Sequence, residues 1–294
     1  MKLDLLYRGP LASCNYGCAY CPFAKRKDSR EALATDRAAW RRFVDWLAAR
    51  PSTDQLGVLV TPWGEALIRR WYQDGLAELS HLPHITRVAA QTNLSGPLDW
   101  LASASPARLA LWCTYHPAWT SLDDFLSQCA RLSHAGVSYS VGVVGQPDHH
   151  AAAVALRAAL PADTYVWINA VKALGYTPDE VAGWRAIDPL FELNNRRYPS
   201  LGRACGAGSR AITVDGDGTM RRCHFIKDAI GNLYEDDWHR ALAPRPCSAV
   251  DCHCHIGYVH LDYLELDKVY ATGLLERVPV PEARAGGLRL PVIG

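Results

Sequence analysis

Short apolar runs alternate with amphipathic segments along the chain up to about residue 196. The apolar runs have the length and the residue types of strands, and we predict six of them, at 2–8, 56–60, 86–92, 108–114, 137–144 and 164–169. Apolar residues recur at helical spacing between and after them, and the predicted helices are 35–49, 67–80, 97–103, 121–135, 148–159 and 178–196. This alternation predicts an α/β protein with a parallel sheet and crossover helices.

Six strand–helix units are too few to close an eight-stranded barrel. The pattern therefore favours an open, partial (β/α)6 TIM-like barrel. In folds of this kind, ligands bind at the carboxyl ends of the strands. Gly9-Pro10 ends the first strand, so the loop that follows it is expected on the ligand-binding edge.

The alternation stops near residue 197. Residues 211–214 have an extended pattern, 215–218 (Asp-Gly-Asp-Gly) are typical of a hairpin turn, and the chain returns over 220–225. We predict a small hairpin-containing domain there, a helix around 262–276, and a loose end rich in Pro and Gly. The predicted divisions are 1–197, 198–260 and 261–294.

Charge and composition exclude several function classes. The 294 residues carry 31 basic and 30 acidic side chains, a net charge of +1, so nothing favours binding to nucleic acid or to an anionic membrane. No apolar stretch is long enough to span a bilayer, and the charged N-terminus is not a secretory signal. We expect a cytoplasmic protein with reduced thiols, so its ten cysteines favour metal ligation over disulfides. Cys113 and Cys129 lie in apolar segments and are predicted core residues.

Three cysteines follow the first strand with the spacing C-x3-C-x2-C: Cys14, Cys18 and Cys21. Gly17 permits a tight loop, in which the three thiols converge. Three thiolates can hold three irons of a four-iron cluster and leave the fourth iron open to a small molecule. The alternatives are a disulfide framework and a zinc site, which would need a distant fourth ligand.

The spacing, with the aromatic Tyr20 before the third cysteine, resembles the cluster motif of the radical S-adenosylmethionine (SAM) enzymes. In that family the open iron binds the amino and carboxylate groups of SAM. An electron from the cluster then cleaves SAM to methionine and a 5′-deoxyadenosyl radical. The resemblance implies a [4Fe-4S] cluster on the three cysteines, SAM as the cofactor, Tyr20 as part of its site, and a partial barrel.

Two later segments extend the resemblance. Gly64-Glu65 after the second strand is similar to the end of the family's Gly-Gly-Glu-Pro motif, which binds the SAM amino group, although Trp63 and Ala66 depart from it. A plain turn with Glu at a helix start is the alternative. Asn93, at the end of the third strand, is similar to a turn that contacts the ribose, and its alternative is an Asx turn.

Position in the family's barrel implies three more SAM-site residues. Thr114 and Val143 correspond to contacts with the methionine carboxylate and the adenine, and Asn169 corresponds to a contact with adenine or substrate. His116 is expected at the same mouth, either as a proton donor or acceptor or as a loop residue that caps a turn. The sequence assigns no catalytic acid or base.

Five cysteines follow residue 197, and we call them the five-cysteine site: Cys205, Cys223, Cys247, Cys252 and Cys254. The spacing Cys-x12-Gly-x4-Cys from Cys205 to Cys223 resembles the opening of SPASM and twitch domains, which hold auxiliary clusters. The resemblance implies a second, electron-carrying [4Fe-4S] cluster on Cys205, Cys223 and two of the other three. The alternative is a structural zinc site with help from the nearby histidines His224, His253 and His255.

The resemblance implies a radical SAM enzyme, most similar to a bacterial subgroup, that removes a hydrogen atom from a substrate and so oxidises or cross-links it. The first strand begins at residue 2 and leaves no room for an N-terminal peptide-recognition domain, which favours a small molecule or a peptide delivered by a partner. An external reductant such as flavodoxin or ferredoxin is implied. The alternatives are a ribosomal-peptide or sulfatase maturase, or a zinc-binding protein without catalysis.

Overall fold

Six parallel strands form the centre of one sheet. They are β1 (Lys2–Arg8), β2 (Gln55–Val60), β3 (Ile85–Thr92), β4 (Leu109–Tyr115), β5 (Ser138–Val144) and β6 (Val166–Asn169). Each strand is hydrogen-bonded in parallel to the next, and β6 forms an edge of the sheet. This is a computed structural model that describes residues 1–23 and 26–284. It confirms the α/β class and the open arrangement of six parallel strands.

Helices of different length cross between the strands: α1 (Arg30–Ala48), α2 (Arg70–His81), α3 (Leu122–His134), α4 (His150–Ala159) and α5 (Pro178–Ile187). The predicted helix 97–103 is only a short 3-10 turn, Asp99–Ser103. The predicted helix 178–196 was too long. It ends at Ile187 because Asp188 precedes a proline and is extended, and a separate short helix, α6 (Phe191–Asn194), follows.

The predicted hairpin is present and joins the main sheet. After the short strand β7 (Tyr198–Pro199), β8 (Ala211–Asp215) and β9 (Thr219–Arg221) pair antiparallel, and β10 (Ala229–Asn232) follows at the edge. Gly218, with φ of +90°, lies in the hairpin turn, where glycine is favoured. Because β8 pairs in parallel with β1, strands β1–β6 and β8–β10 form one nine-stranded sheet, which does not include β7. The division of the chain into separate units at residue 197 remains a prediction.

The predicted helix 262–276 was wrong. The chain forms β11 (Asp251–Cys252), α7 (His255–Tyr258), two 3-10 turns around α8 (Asp267–Tyr270), and α9 (Pro281–Arg284). Positive φ angles at Glu265 (48°) and Ala271 (44°) interrupt any continuous helix. Residues 285–294, in the predicted loose end, lie outside the described residues.

The sheet has a packed layer on each face. Leu3, Leu5 and Tyr7 of β1 pack with the crossover helices, so the alternate residues of that strand point to the opposite face. That face is covered by the C-terminal segments, whose Tyr258 and Tyr270 belong to a second buried cluster. Cys113 and Cys129 are buried with the helical layer, which confirms them as core residues. Among the described residues, no helix combines the length and apolarity needed to cross a membrane.

Candidate functional site

A cavity of about 200 Å³ lies at the carboxyl ends of β1 to β4. The loops after these four strands all contribute to it, as expected for a ligand site in a parallel α/β fold. It is lined by seven of the residues singled out in the sequence: Cys14, Cys18, Cys21, Gly64, Glu65, Asn93 and Thr114. The three closely spaced cysteines therefore face the same space as the predicted SAM-binding segments.

The cysteine loop is held by the loop that follows β2. Gly64 donates its N–H to the Leu11 carbonyl at 3.0 Å, and Glu65 donates to the Ser13 carbonyl at 3.1 Å. A Cβ on Gly64 would lie 2.1 Å from the Ser13 carbonyl oxygen, so only glycine allows this approach. Gly17 has no positive φ, and its missing side chain instead makes room for the Trp119 ring.

Polar groups surround two of the three thiols. Cys14 Sγ lies 3.3 Å from the backbone N of Tyr16 and 3.7 Å from Asn93 Nδ2, both donors. Burial raises the pKa of Cys14 in the absence of a metal. Cys18 Sγ lies 3.6 Å from His116 Nδ1. Donors to a thiolate favour its ionised, metal-binding form, and three thiols on one loop fit a four-iron cluster with one open iron.

Glu65 is a buried junction between the loops. Its carboxylate accepts hydrogen bonds from Leu67 N (3.0 Å), Thr92 Oγ1 (2.8 Å) and Asn93 N (2.7 Å). Burial raises the pKa of Glu65, and these three donors oppose that change. An ionised carboxylate has about four acceptor positions, so one remains for a donor in the cavity.

Tyr20 turns toward His116. Its hydroxyl lies 2.7 Å from His116 Nδ1, and the two rings stack with centroids 6.0 Å apart. Burial, together with nearby His149, lowers the pKa of His116 to about 4, so the imidazole is neutral at pH 7. His116 lines the cavity, whereas Tyr20 does not line it and contacts His116 instead.

Two predicted SAM-site residues lie apart from the others. Val143 is fully buried between the sheet and the helices. Asn169 is exposed at the end of β6, and its Oδ1 accepts from Asn194 Nδ2 at 3.3 Å. Neither residue lines the cavity. Their assignment to SAM remains a prediction.

Three residues of the cavity region carried no motif in the sequence. Phe23 and Trp63 line the cavity, and the guanidinium of Arg8 lies 4.4 Å from the Trp63 ring centroid. Strand alternation could have identified Arg8, because it shares the face opposite to Tyr7 and ends the first strand. Trp63 was noted only as a departure from the Gly-Gly-Glu-Pro pattern, although a bulky aromatic at a strand end is itself a sign of a binding surface.

The cysteines of the five-cysteine site come together from distant segments. A Cβ on Gly257 would lie 2.9 Å from Cys252 Sγ and 3.9 Å from Cys223 Sγ, so both thiols lie next to that glycine. Burial, together with the charges that ionised Cys205, Cys254 and Cys247 would carry, raises the pKa of Cys223 to about 11. Charge effects of this kind act over several ångströms, so the cysteines lie in one region of the fold.

The three histidines proposed as zinc ligands have different surroundings. His224 packs against the Arg8 guanidinium, with Arg8 Nε 3.0 Å from its Nδ1. His253 Nδ1 pairs with Asp251 at 3.0 Å, and His255 is buried beside Trp112 and Tyr258. Within residues 1–23 and 26–284, no three His, Cys, Asp or Glu side chains are grouped so that they could hold a metal ion.

The fold and the cavity together define an α/β partial-barrel protein with a cysteine loop on its ligand-binding edge. Solved structures share this fold. Native anSMEcpe with bound AdoMet is similar over 82% of this chain and 80% of its own, with 12% identity and a TM-score of 0.54. The same protein with AdoMet and the Cp18Cys peptide is similar over 82% and 79%, with 13% identity and a TM-score of 0.51.

The chain thus has the fold of the radical SAM enzymes, as the cysteine motif implied. No protein-family model matches the sequence. No curated protein matches it either.

Proposed function

We propose that this protein is a radical SAM enzyme. The observation that carries the proposal is the meeting of Cys14, Cys18 and Cys21 with Glu65 and Asn93 around one cavity. A [4Fe-4S] cluster bound there would supply the electron that cleaves SAM reductively, and the resulting 5′-deoxyadenosyl radical would take a hydrogen atom from the substrate. The neighbours of the same fold hold AdoMet, which supports this cofactor.

The surrounding residues bind and orient the cofactor. Glu65 offers its remaining acceptor position to the ammonium group, and Asn93 and Thr114 offer hydrogen-bonding groups to hydroxyls and to the carboxylate. Neutral His116, held by Tyr20 at 2.7 Å, presents an imidazole to the cavity without a competing positive charge. These groups leave the Phe23 and Trp63 side of the cavity for the substrate.

The substrate has an apolar part in this proposal. Phe23 and Trp63 line the cavity but remain 40% and 38% exposed, and exposed aromatic surface beside a cavity is typical of binding sites. A small molecule is the first candidate, because the cavity has a volume of about 200 Å³. A peptide is the second, because a neighbour of the same fold holds a bound peptide.

The five-cysteine site holds a second [4Fe-4S] cluster in this proposal. Its thiols converge from three segments, and Cys205 and Cys223 keep the spacing of auxiliary-cluster domains. A cluster held by these thiolates would supply an acceptor for the electron left on the substrate after hydrogen removal, and the net reaction would then be an oxidation or a cross-link. A flavodoxin or ferredoxin of the cytoplasm, where thiols stay reduced, is the external reductant.

The first test is the iron and zinc content of protein purified without oxygen. We expect about eight irons per chain, and about four in a variant with Cys14, Cys18 and Cys21 all replaced by Ala. Cys129→Ala, a buried cysteine outside both groups, is the control and should keep all of them. Zinc in place of iron would replace the enzyme proposal with a zinc-binding protein.

A second test concerns SAM cleavage itself. Cys18→Ala should abolish 5′-deoxyadenosine formation from SAM in the presence of a strong reductant, yet leave the protein soluble, because the loop lies at the barrel mouth. Product formation at the wild-type rate by this variant would refute the assignment of the cluster loop.

A further inference from the structure

Arg8 is a buried cation that lies between the two groups of cysteines. It ends β1 and is only 8% exposed. Its Nη1 donates to the Thr61 carbonyl at 2.7 Å, and its Nε lies 3.0 Å from His224 Nδ1. Its guanidinium carbon lies 4.4 Å from the Trp63 ring centroid. A single side chain therefore contacts the loop after β2 and the loop after β9.

These contacts belong to both candidate sites. Trp63 lines the cavity that Cys14, Cys18 and Cys21 also line. His224 directly follows Cys223 of the five-cysteine site, and its ring packs against Trp63 with centroids 5.1 Å apart. The guanidinium thus contacts a residue that lines one site and the sequence neighbour of a proposed ligand of the other.

No carboxylate neutralises this charge at ion-pair distance among the described residues. The nearest acidic contribution at longer range comes from Asp215, which already pairs with Arg221 at 2.9 Å. Burial lowers the pKa of Arg8 to about 10, and an ionised Cys254 thiolate would oppose that change more than Asp215 does. A buried charge is costly unless an opposite charge compensates it, so the guanidinium favours an anion on the side of His224, the neighbour of Cys223.

A second cation lies near the same thiol. Lys172, in the segment after β6, donates to Asn194 Oδ1 at 3.3 Å. Burial lowers its pKa to about 8, and an ionised Cys254 would again oppose the change. Two cations on this side of the five-cysteine site would stabilise a group with a net negative charge bound there. A thiolate-bound four-iron cluster is such a group, and its reduction adds one more negative charge.

We propose that Arg8 is an electrostatic positioning residue that raises the reduction potential of the cluster at the five-cysteine site. This inference rests on the proposed second cluster. One electron enters the cluster on reduction, no bond is made or broken, and the fixed guanidinium stabilises the added charge. Because the same guanidinium holds the Thr61 carbonyl and the Trp63 ring, it also fixes the cavity wall relative to that cluster.

The test is a redox titration, followed by electron paramagnetic resonance, in the background that has Cys14, Cys18 and Cys21 replaced by Ala. Only the cluster of the five-cysteine site can then contribute to the signal. Arg8→Gln keeps a hydrogen-bond donor but removes the charge, and Arg8→Lys keeps the charge. We expect Arg8→Gln to weaken the cluster's affinity for an electron at least tenfold, which lowers the midpoint by about 59 mV, and Arg8→Lys to stay near the parent value.

Arg157→Gln is the matched control. Arg157 also donates to backbone carbonyls, those of Leu160 and Pro161 among them, but it does so ahead of β6, at the opposite end of the sheet from the cluster. Its replacement should leave the midpoint unchanged. If Arg8→Gln and its parent have equal midpoints at equal iron content, the role of Arg8 is refuted and the second cluster is not. A background protein without an iron–sulfur signal would instead refute the second cluster, and this inference with it.

If Arg8→Gln loses its iron, the comparison moves to Lys172→Gln and Arg8→Lys, both of which keep a positive charge at position 8. We then expect a lower midpoint for Lys172→Gln, which removes the second cation, and a near-parent midpoint for Arg8→Lys. Unchanged midpoints in Lys172→Gln together with a shifted midpoint in Arg8→Lys would contradict a role for charge.

Discussion

The Glu65 carboxylate accepts the backbone N–H of Asn93 at 2.7 Å, and this bond joins the loop after β2 to the end of β3. Glu65 is only 5% exposed, and its other oxygen accepts from Leu67 and Thr92. The residue therefore has a structural role that exists before any ligand binds. SAM binding would use the one acceptor position of the carboxylate that these three hydrogen bonds leave free.

Replacement of Glu65 by Gln tests the structural role. The amide must place its NH2 group against at least one of the N–H or O–H donors, so a buried donor loses its acceptor. We expect the free energy of unfolding of the metal-free protein to fall by about 1–3 kcal/mol, measured by urea denaturation. Glu78→Gln removes an exposed carboxylate paired with Arg41 and should cost less than about 1 kcal/mol. Equal losses of unfolding free energy in Glu65→Gln and Glu78→Gln would contradict the structural role of Glu65.

We expect opposite effects on iron binding when two glycines of the cavity are changed to Ala. The new Cβ of Gly64→Ala would meet the Ser13 carbonyl at 2.1 Å, and backbone cannot move aside without shifting the cysteine loop. We expect this variant to lose the iron bound by that loop. The Cβ of Gly17→Ala would lie 3.3 Å from the edge of Trp119, a 45% exposed side chain that has room to move.

The measurement is iron per chain after anaerobic reconstitution, with near-ultraviolet circular dichroism as a check on the fold. Gly17→Ala should retain the wild-type content. A wild-type iron content in Gly64→Ala would show that the close approach of the two loops is not needed for the cluster.

The sequence predicted the features that depend on local pattern. The six parallel strands follow from short apolar runs, and the hairpin after residue 210 follows from Asp-Gly pairs between two extended segments. The cysteine loop was found because its three cysteines lie within eight residues. The residues that line the cavity at the ends of β2, β3 and β4 were found because parallel strands bring their carboxyl ends to one edge.

Features that depend on distant residues were not predicted. The pairing of β8 with β1 joins residues more than two hundred positions apart, and no local pattern encodes that register. The C-terminal segments were predicted to form one helix, whereas the positive φ angles at Glu265 and Ala271 divide them into short turns. Arg8 could be identified as the residue that ends the first strand, but its contact with His224, 216 positions away, arises only in the folded chain.

Asp4 should make stability depend on pH. Its side chain lies on the same face of β1 as Arg8 and packs against Gly57. Burial raises its pKa to about 6, and Lys2 opposes that change. Because the folded protein holds this proton more tightly than the unfolded chain, the contribution to stability is fully present below about pH 4 and is lost as the pH rises through 6.

Asp4→Asn removes this dependence. We expect the variant to gain stability relative to wild type between pH 4 and pH 7, by up to about 3 kcal/mol for a shift of about two pH units. Urea unfolding at several pH values measures the difference. Asp99→Asn changes an exposed carboxylate and is the control. A difference between Asp4→Asn and wild type that stays constant with pH would contradict the raised pKa.

Arg277 should anchor the C-terminal segments to the barrel. It is 2% exposed, and its guanidinium lies 4.3 Å from the Trp167 ring centroid and 5.4 Å from that of Trp112. Asp188, fully buried and hydrogen-bonded by Tyr165 at 2.7 Å, provides the nearby negative charge. Arg277→Met removes the cation from two aromatic faces and leaves that carboxylate without it.

We expect Arg277→Met to lower the free energy of unfolding by about 3 kcal/mol, because a buried charge then loses its opposite charge. Arg240→Ala, an exposed arginine near Asp237, should change it by no more than about 0.5 kcal/mol. Urea denaturation followed by tryptophan fluorescence is suited to the measurement, since Trp112 and Trp167 contact the changed residue. A loss below 1 kcal/mol in Arg277→Met would mean that residues 262–284 add little to the stability of the barrel, despite their burial against its sheet.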